Sequence, residues 1–205
     1  MSFYRIFYTS TFLSLSVMLL GWSQPQPIVN SEYQYQLTQS KVVDGKLSKN
    51  GHYTALLDVH NLTLWNNHNP SVVNTWSAPI NAFHTAMSNN SQRLAIAGKF
   101  QVAIFEAGRD QPSSQWNVQS FLDHATFTLI QLHDLGNSVL VGMSDGGISL
   151  FNSRIGQHSK FAMHTGPVSQ LIYQSSMAIW SASTDGSIAL WRPSDGKILK
   201  EHYAF

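Results

Sequence analysis

The stretch SASTDGSIALW, residues 181–191, decides the fold. Asp185-Gly186 separates two alternating runs, 177–182 (MAIWSA) and 187–191 (SIALW), and the second run closes on Trp191. A period of two marks strands. Asp-Gly between two such runs marks a tight hairpin, because glycine adopts the positive φ of the turn at no steric cost.

Toward the amino terminus the same pair of runs recurs three times, which identifies an internal repeat. The first runs are 52–58 (HYTALLD), 92–97 (QRLAIA) and 138–143 (SVLVGM), and the second are 61–65 (NLTLW), 101–105 (QVAIF) and 147–151 (GISLF). The closing aromatics Trp65, Phe105, Phe151 and Trp191 are thus 40, 46 and 40 residues apart. The six extra residues fall in 108–115 (GRDQPSSQ), a turn-rich segment where insertion costs little. Each closing aromatic is followed by a further strand-like stretch: 71–77, 115–121, 159–163 and 197–204. Innermost strands are expected at 81–86, 126–132 and 168–173. No window beyond residue 24 holds an apolar stripe of helical period and length.

The expected fold is therefore all-β, a β-propeller-type array of four four-stranded antiparallel blades over 40–78, 79–121, 122–163 and 164–205. A leader at 24–39 with a spare outer strand at 32–38 (EYQYQLT) precedes them, and before it a helical signal segment at 1–23.

The last unit, HTGPV at 164–168 followed by SASTDGSIALW, resembles the WD-repeat (tryptophan-aspartate repeat) family of β-propellers. That resemblance implies a structural hydrogen-bonded tetrad of His164, Ser183 or Ser181, Asp185 and Trp191. The third unit repeats the spacing, since His124 to Asp145 and His164 to Asp185 both span 21 residues, and Asp145 to Phe151 and Asp185 to Trp191 both span 6. Phe151 has no N–H to close its tetrad. Units one and two hold Val59 and Lys99 six residues before their aromatics, in place of the aspartate. WD-repeat rings usually close with six to eight blades. Four units can make a compact ring, half of an eight-bladed ring completed by a second copy, or an incomplete arc.

With 12 Lys+Arg against 11 Asp+Glu and a net charge of +1, nothing marks the chain for nucleic acid or an anionic membrane. The absence of cysteine excludes disulfides, thiolate metal sites and thiol nucleophiles. Residues 11–20 (TFLSLSVMLL), behind the single cation Arg5, are too short to span a bilayer as a helix and match a signal-peptide core. Gly21 and Ser23 place small residues ahead of a cut before Gln24, and Trp22 occupies the position of the lipidated cysteine in a lipobox-like LLGWS. An uncleaved amino-terminal anchor is the alternative, and the membrane enters only through it. Export follows, to the periplasm or envelope of a bacterial cell or, alternatively, by secretion.

None of the nine histidines pairs at a metal-ligand spacing, so neither metal nor cofactor is expected. Asp145-Gly146 and Asp185-Gly186 read as turns rather than paired catalytic carboxylates. Ser183, His164 and Asp185 lack the strained nucleophile turn and oxyanion hole of a hydrolase. Trp76 and Trp116, 40 residues apart, read as packing between blades before a binding rim. The expected innermost strands hold few polar groups, Asn81, His84, Gln131 and Gln170, and no acids. That favours a non-catalytic scaffold whose loop face binds another protein, or a homodimer, over a glycan- or small-molecule-binding propeller or a weak propeller enzyme. A degenerate remnant of a longer repeat protein is the third reading.

Overall fold

The computed structural model describes residues 40–79, 81–118 and 125–203. The signal segment with Gly21, Trp22, Ser23 and Gln24, the spare strand at 32–38, His124 and the end of the 115–121 stretch lie outside the described residues. Within them the fold is all-β. Sixteen strands form four four-stranded antiparallel sheets, each a meander in chain order.

The first sheet comprises β1 (Val42–Leu47), β2 (Tyr53–Asp58), β3 (Asn61–Asn66) and β4 (Ser71–Ser77); the second, β5 (Ala82–Met87), β6 (Arg93–Gly98), β7 (Gln101–Glu106) and β8 (Ser114–Asn117). In the third are β9 (Phe127–Leu132), β10 (Ser138–Met143), β11 (Gly147–Asn152) and β12 (Gln157–Ala162). The fourth holds β13 (Val168–Ser175), β14 (Ala178–Ser183), β15 (Ser187–Trp191) and β16 (Ile198–Tyr203). The two middle strands of every sheet are its most buried, and the outermost is its most exposed.

Successive sheets meet through their innermost strands, β1 on β5, β5 on β9 and β9 on β13. Three apolar clusters fill the three junctions, centred on Leu57 and Phe105, on Val141 and Phe151, and on Ile148 and Trp191. Gly142 belongs to the last junction because a Cβ there would stand 2.9 Å from the Val168 side chain. Trp76 and Trp116 serve two of these junctions, their rings 5.4 Å from Phe105 and Phe151 of the next sheet. They pack between sheets.

The middle hairpins come in two lengths. In the first two sheets the ladder closes at Leu57–Leu62 and Ala97–Val102, enclosing four residues, 58–61 and 98–101. The last two close at Gly142–Ile148 and Ala182–Ile188 and enclose five, with Gly146 and Gly186 at φ 84° and 86°. Val59 stands six positions before Trp65, where the last two sheets have the turn aspartate. The turn carboxylate of the first sheet stands one position earlier, where Asp58 Oδ1 accepts the His60 and Asn61 N–H groups, both at 2.7 Å.

The first hairpins of the first two sheets match at atomic detail. Ser48 and Ser88 donate their N–H to Tyr53 and Arg93 carbonyls and accept those residues' N–H on their hydroxyls. In both turns the hydroxyl also reaches an asparagine two residues on, Asn50 or Asn90. His133 replaces the serine in the third sheet, its Nδ1 accepting the Leu135 N–H.

Candidate functional site

His164 lies in the segment between β12 and β13, buried between the turns of the third and fourth sheets. Its Nδ1 is 2.6 Å from Ser187 Oγ and its Nε2 is 2.8 Å from Ser181 Oγ. Ser187 Oγ is 2.6 Å from Asp185 Oδ1, and Trp191 Nε1 is 3.1 Å from Ser181 Oγ. With a neutral imidazole, proton bookkeeping fixes the direction of the whole chain. An indole N–H only donates and a carboxylate only accepts. Trp191 therefore donates to Ser181, Ser181 to His164 Nε2, His164 Nδ1 to Ser187, and Ser187 to Asp185.

The imidazole in this relay is neutral with its proton on Nδ1. Burial, the largest cause, pushes the His164 pKa below the ordinary imidazole value, against an opposing pull from Asp185. Protonation would put a second N–H against a serine already donating to that nitrogen. Asp185 is held far below the ordinary carboxylate range, first by the Ser187 hydroxyl and then by the Ser187 N–H. Its other oxygen accepts the Thr165 N–H at 2.7 Å, the Thr165 hydroxyl at 2.9 Å and the Gly166 N–H at 3.2 Å. Five bonds on one side chain tie the entry to β13 to the β14–β15 turn.

Of the two serines that the resemblance left open for the tetrad the network uses one, and it adds a hydroxyl that the tetrad lacks. Ser181, not Ser183, links His164 to Trp191; Ser183 donates instead to the Gly166 carbonyl at 2.9 Å and accepts the Asp185 N–H. Ser187 stands between His164 and Asp185, so the carboxylate reaches the imidazole through a hydroxyl. Neither is legible from spacing, which fixes the strands but not which hydroxyl of an alternating run faces the ring.

The third sheet places Asp145 and Phe151 at the same turn positions. Asp145 accepts the Gly147 N–H at 2.9 Å and pairs with Lys160 at 3.4 Å. Phe151 is buried between Trp116 and His158. Gly146 supports the His164 segment directly, its carbonyl accepting the His164 N–H, and a Cβ there would overlap the His164 carbonyl at 2.1 Å.

What this relay can do chemically is hold a histidine. Both ring nitrogens are used, the Ser181 and Ser187 hydroxyls are spent, and both serines are buried.

A site open to solvent lies at the opposite end of the same two sheets. A groove of about 630 Å³ is bounded by the β9–β10, β11–β12, β13–β14 and β15–β16 turns. Leu135, Ile155 and Met177 project beside it at 64%, 61% and 71% exposure. His133 and Tyr173 form its wall, edge to face at 4.9 Å, with the Tyr173 hydroxyl 3.1 Å from Ser138 Oγ and its pKa raised by burial. Among the described residues no carboxylate lines the groove. Arg192 on its rim is neutralised by a two-pronged pair with Asp195, whereas Arg154 makes no ion pair among the described residues. Sequence reading passed over this groove, because its residues come from four separate turns and share no motif.

No protein-family model matches the chain, and no curated protein does.

Proposed function

We propose that this chain is a non-catalytic scaffold of the cell envelope, a WD-repeat-like β-propeller arc that binds a segment of another protein at the turn end of its third and fourth sheets. The observation that carries this reading is the groove itself: three highly exposed apolar side chains converge on one concave site with, among the described residues, one cation that makes no ion pair and no acid. Apolar residues so exposed and so clustered mark an interaction surface. A partner segment with an apolar side chain for the Met177–Ile155 rim and a carboxylate for Arg154 fits it. Blade architecture is supported by four like sheets meeting in chain order through their innermost strands. Export is supported by residues 11–20 with Gly21 and Ser23 ahead of Gln24.

The test places a photoreactive amino acid at Met177, at Ile155 and, as a control, at Val72 on the first sheet, in the cells that make this protein. One partner cross-linked from Met177 and Ile155, absent from Val72 and lost on Arg154→Glu, is expected. The same adducts from all three positions, or none from the groove, would sink the proposal. A second reading, a glycan ligand, is favoured by the edge-to-face His133–Tyr173 pair beside Asn137, Asn152 and Gln157. It predicts saccharide binding that Arg154→Glu leaves intact.

A further inference from the structure

Each innermost strand carries a bulge at one repeat position, where a single residue is left without an opposite number on the neighbouring strand. These residues are Val43, Phe83, Thr128 and Ser169. In the last two sheets the position is polar and bonded, the Thr128 hydroxyl donating to the Val168 carbonyl at 2.7 Å and the Ser169 hydroxyl to the Ala182 carbonyl at 3.2 Å. In the first two it is apolar, with Val43 38% and Phe83 44% exposed.

The middle hairpins, at the same end of the array, divide in the same way. The β10–β11 and β14–β15 turns carry the exposed carboxylates Asp145 and Asp185, whereas the β2–β3 and β6–β7 turns carry Val59 at 53% and Phe100 at 38% exposure. Lys99 sets its ammonium 5.3 Å from the centre of the Phe100 ring, and Lys41 is exposed just before β1. Neither lysine makes an ion pair among the described residues. The nearby carboxylates are occupied by backbone N–H groups, Asp44 by those of Gly45 and Thr85 and Asp58 by those of His60 and Asn61.

The four apolar positions adjoin one another. Val42 pairs with Asp58 and Ala82 with Gly98, which sets Val43 beside the β2–β3 turn and Phe83 beside the β6–β7 turn. The Asp44–Thr85 bond then joins the two innermost strands. Folding does not require apolar side chains here, since the last two sheets form the same bulges without them. Exposed apolar groups clustered in this way mark a contact surface.

We infer that this end of the first two sheets docks on a lipid surface bearing anionic headgroups. Val59 and Phe100 stand at hairpin tips, and an apolar tip flanked by lysines enters the boundary of a bilayer while its ammonium groups stay among the headgroup phosphates. Charge is sorted to suit such a surface: Lys41 and Lys99 lie over the first two sheets, and the exposed Asp145 and Asp185 lie over the last two, where anionic headgroups repel. A net charge of +1 hides this sorting. The groove opens at the opposite end of the strands and so faces away from the membrane. Val43, Val59, Phe83 and Phe100 do not line it, and the two surfaces stand or fall separately.

The full chain has no cysteine, so Val59→Cys takes a polarity-sensitive thiol dye as a local probe that any binding through residues 11–20 does not confuse. Vesicles of phosphatidylethanolamine and phosphatidylglycerol in equal parts should shift its emission to the blue, and phosphatidylcholine vesicles should do so more weakly. The same dye on Met177→Cys, at the groove, should not respond. Phe83→Ser and Phe100→Ser, each added to the probe variant, should weaken vesicle binding about tenfold, the scale of one phenyl ring kept out of an apolar medium. Lys99→Glu should weaken it on the anionic vesicles alone. Should a phenylalanine variant lose its circular dichroism, Lys99→Glu at its exposed position decides. No shift at Val59, equal shifts at Val59 and Met177, or a shift indifferent to these substitutions would overturn the proposal. So would a protein cross-linked at Val59 without any response to vesicles.

Discussion

Asp145 and Asp185 stand at the centre of the same five-residue turn, six positions before a buried aromatic. Yet the third sheet carries Val141, Gly147 and Phe151 where the fourth carries Ser181, Ser187 and Trp191. Those three polar groups of the relay are missing together. A buried donor or acceptor left without its partner costs the full desolvation of that group, so a relay is stable complete or replaced by apolar packing, and unstable in between. The third sheet takes the apolar solution, with Phe151 stacked on His158 and Trp116. The fourth takes the polar one. The sheets differ as well on the face turned toward the next sheet: buried in the third, half-exposed in the fourth.

The largest expected effect tests that second difference. Ile148→Ala should cost about 2–5 kcal/mol, as for a fully buried isoleucine, and its counterpart Ile188→Ala less than about 1 kcal/mol, read from chemical denaturation. If the two costs are equal, the fourth sheet's face is covered. Next come the relay variants. Ser181→Val and Trp191→Phe, each importing the third sheet's residue, should cost about 1–3 kcal/mol singly, and the pair together with Ser187→Gly clearly less than the sum. Strict additivity would show that the three groups do not act as one network.

Asp185→Asn should lower the melting temperature more than Asp145→Asn, because Asp185 accepts five hydrogen bonds and Asp145 a single backbone one besides the Lys160 pair. The smallest effect is on pH dependence. His164 titrates below 6.5 in the folded protein, so the unfolded chain takes up the proton first as pH falls. Its contribution is complete above 6.5 and is lost as pH drops through the folded value. His164→Gln should flatten the decline of melting temperature between that window's ends. An unchanged slope would mean that the relay tolerates imidazolium.

The strands were legible in the sequence wherever alternation was unbroken, as at 71–77 for β4 and 138–143 for β10. β1 was not. Asp44-Gly45 interrupts its pattern at a bulge, and Asp44 faces a neighbour, its Oδ2 accepting the Thr85 N–H of the second sheet at 2.8 Å. Asp58 is hidden for a related reason, since it opens a four-residue turn seven positions before Trp65, off the spacing of the Asp-Gly turns. The resemblance to WD repeats implied His164, Asp185 and Trp191 but not Ser187, whose role depends on the rotamers of three side chains meeting across two turns.

By itself the sequence determined the four-fold repeat, the strand periodicity, the Asp-Gly hairpins and the aromatic that closes each third strand. These depend on neighbours within one hairpin, where φ preference and alternation act locally. Tertiary structure alone decided which serine completes the relay, which turns enclose the groove and which copy of a repeated face remains uncovered. Each of those rests on groups brought together from separate units of the chain, and a repeated pattern is the same string of residues whether or not another sheet lies over it.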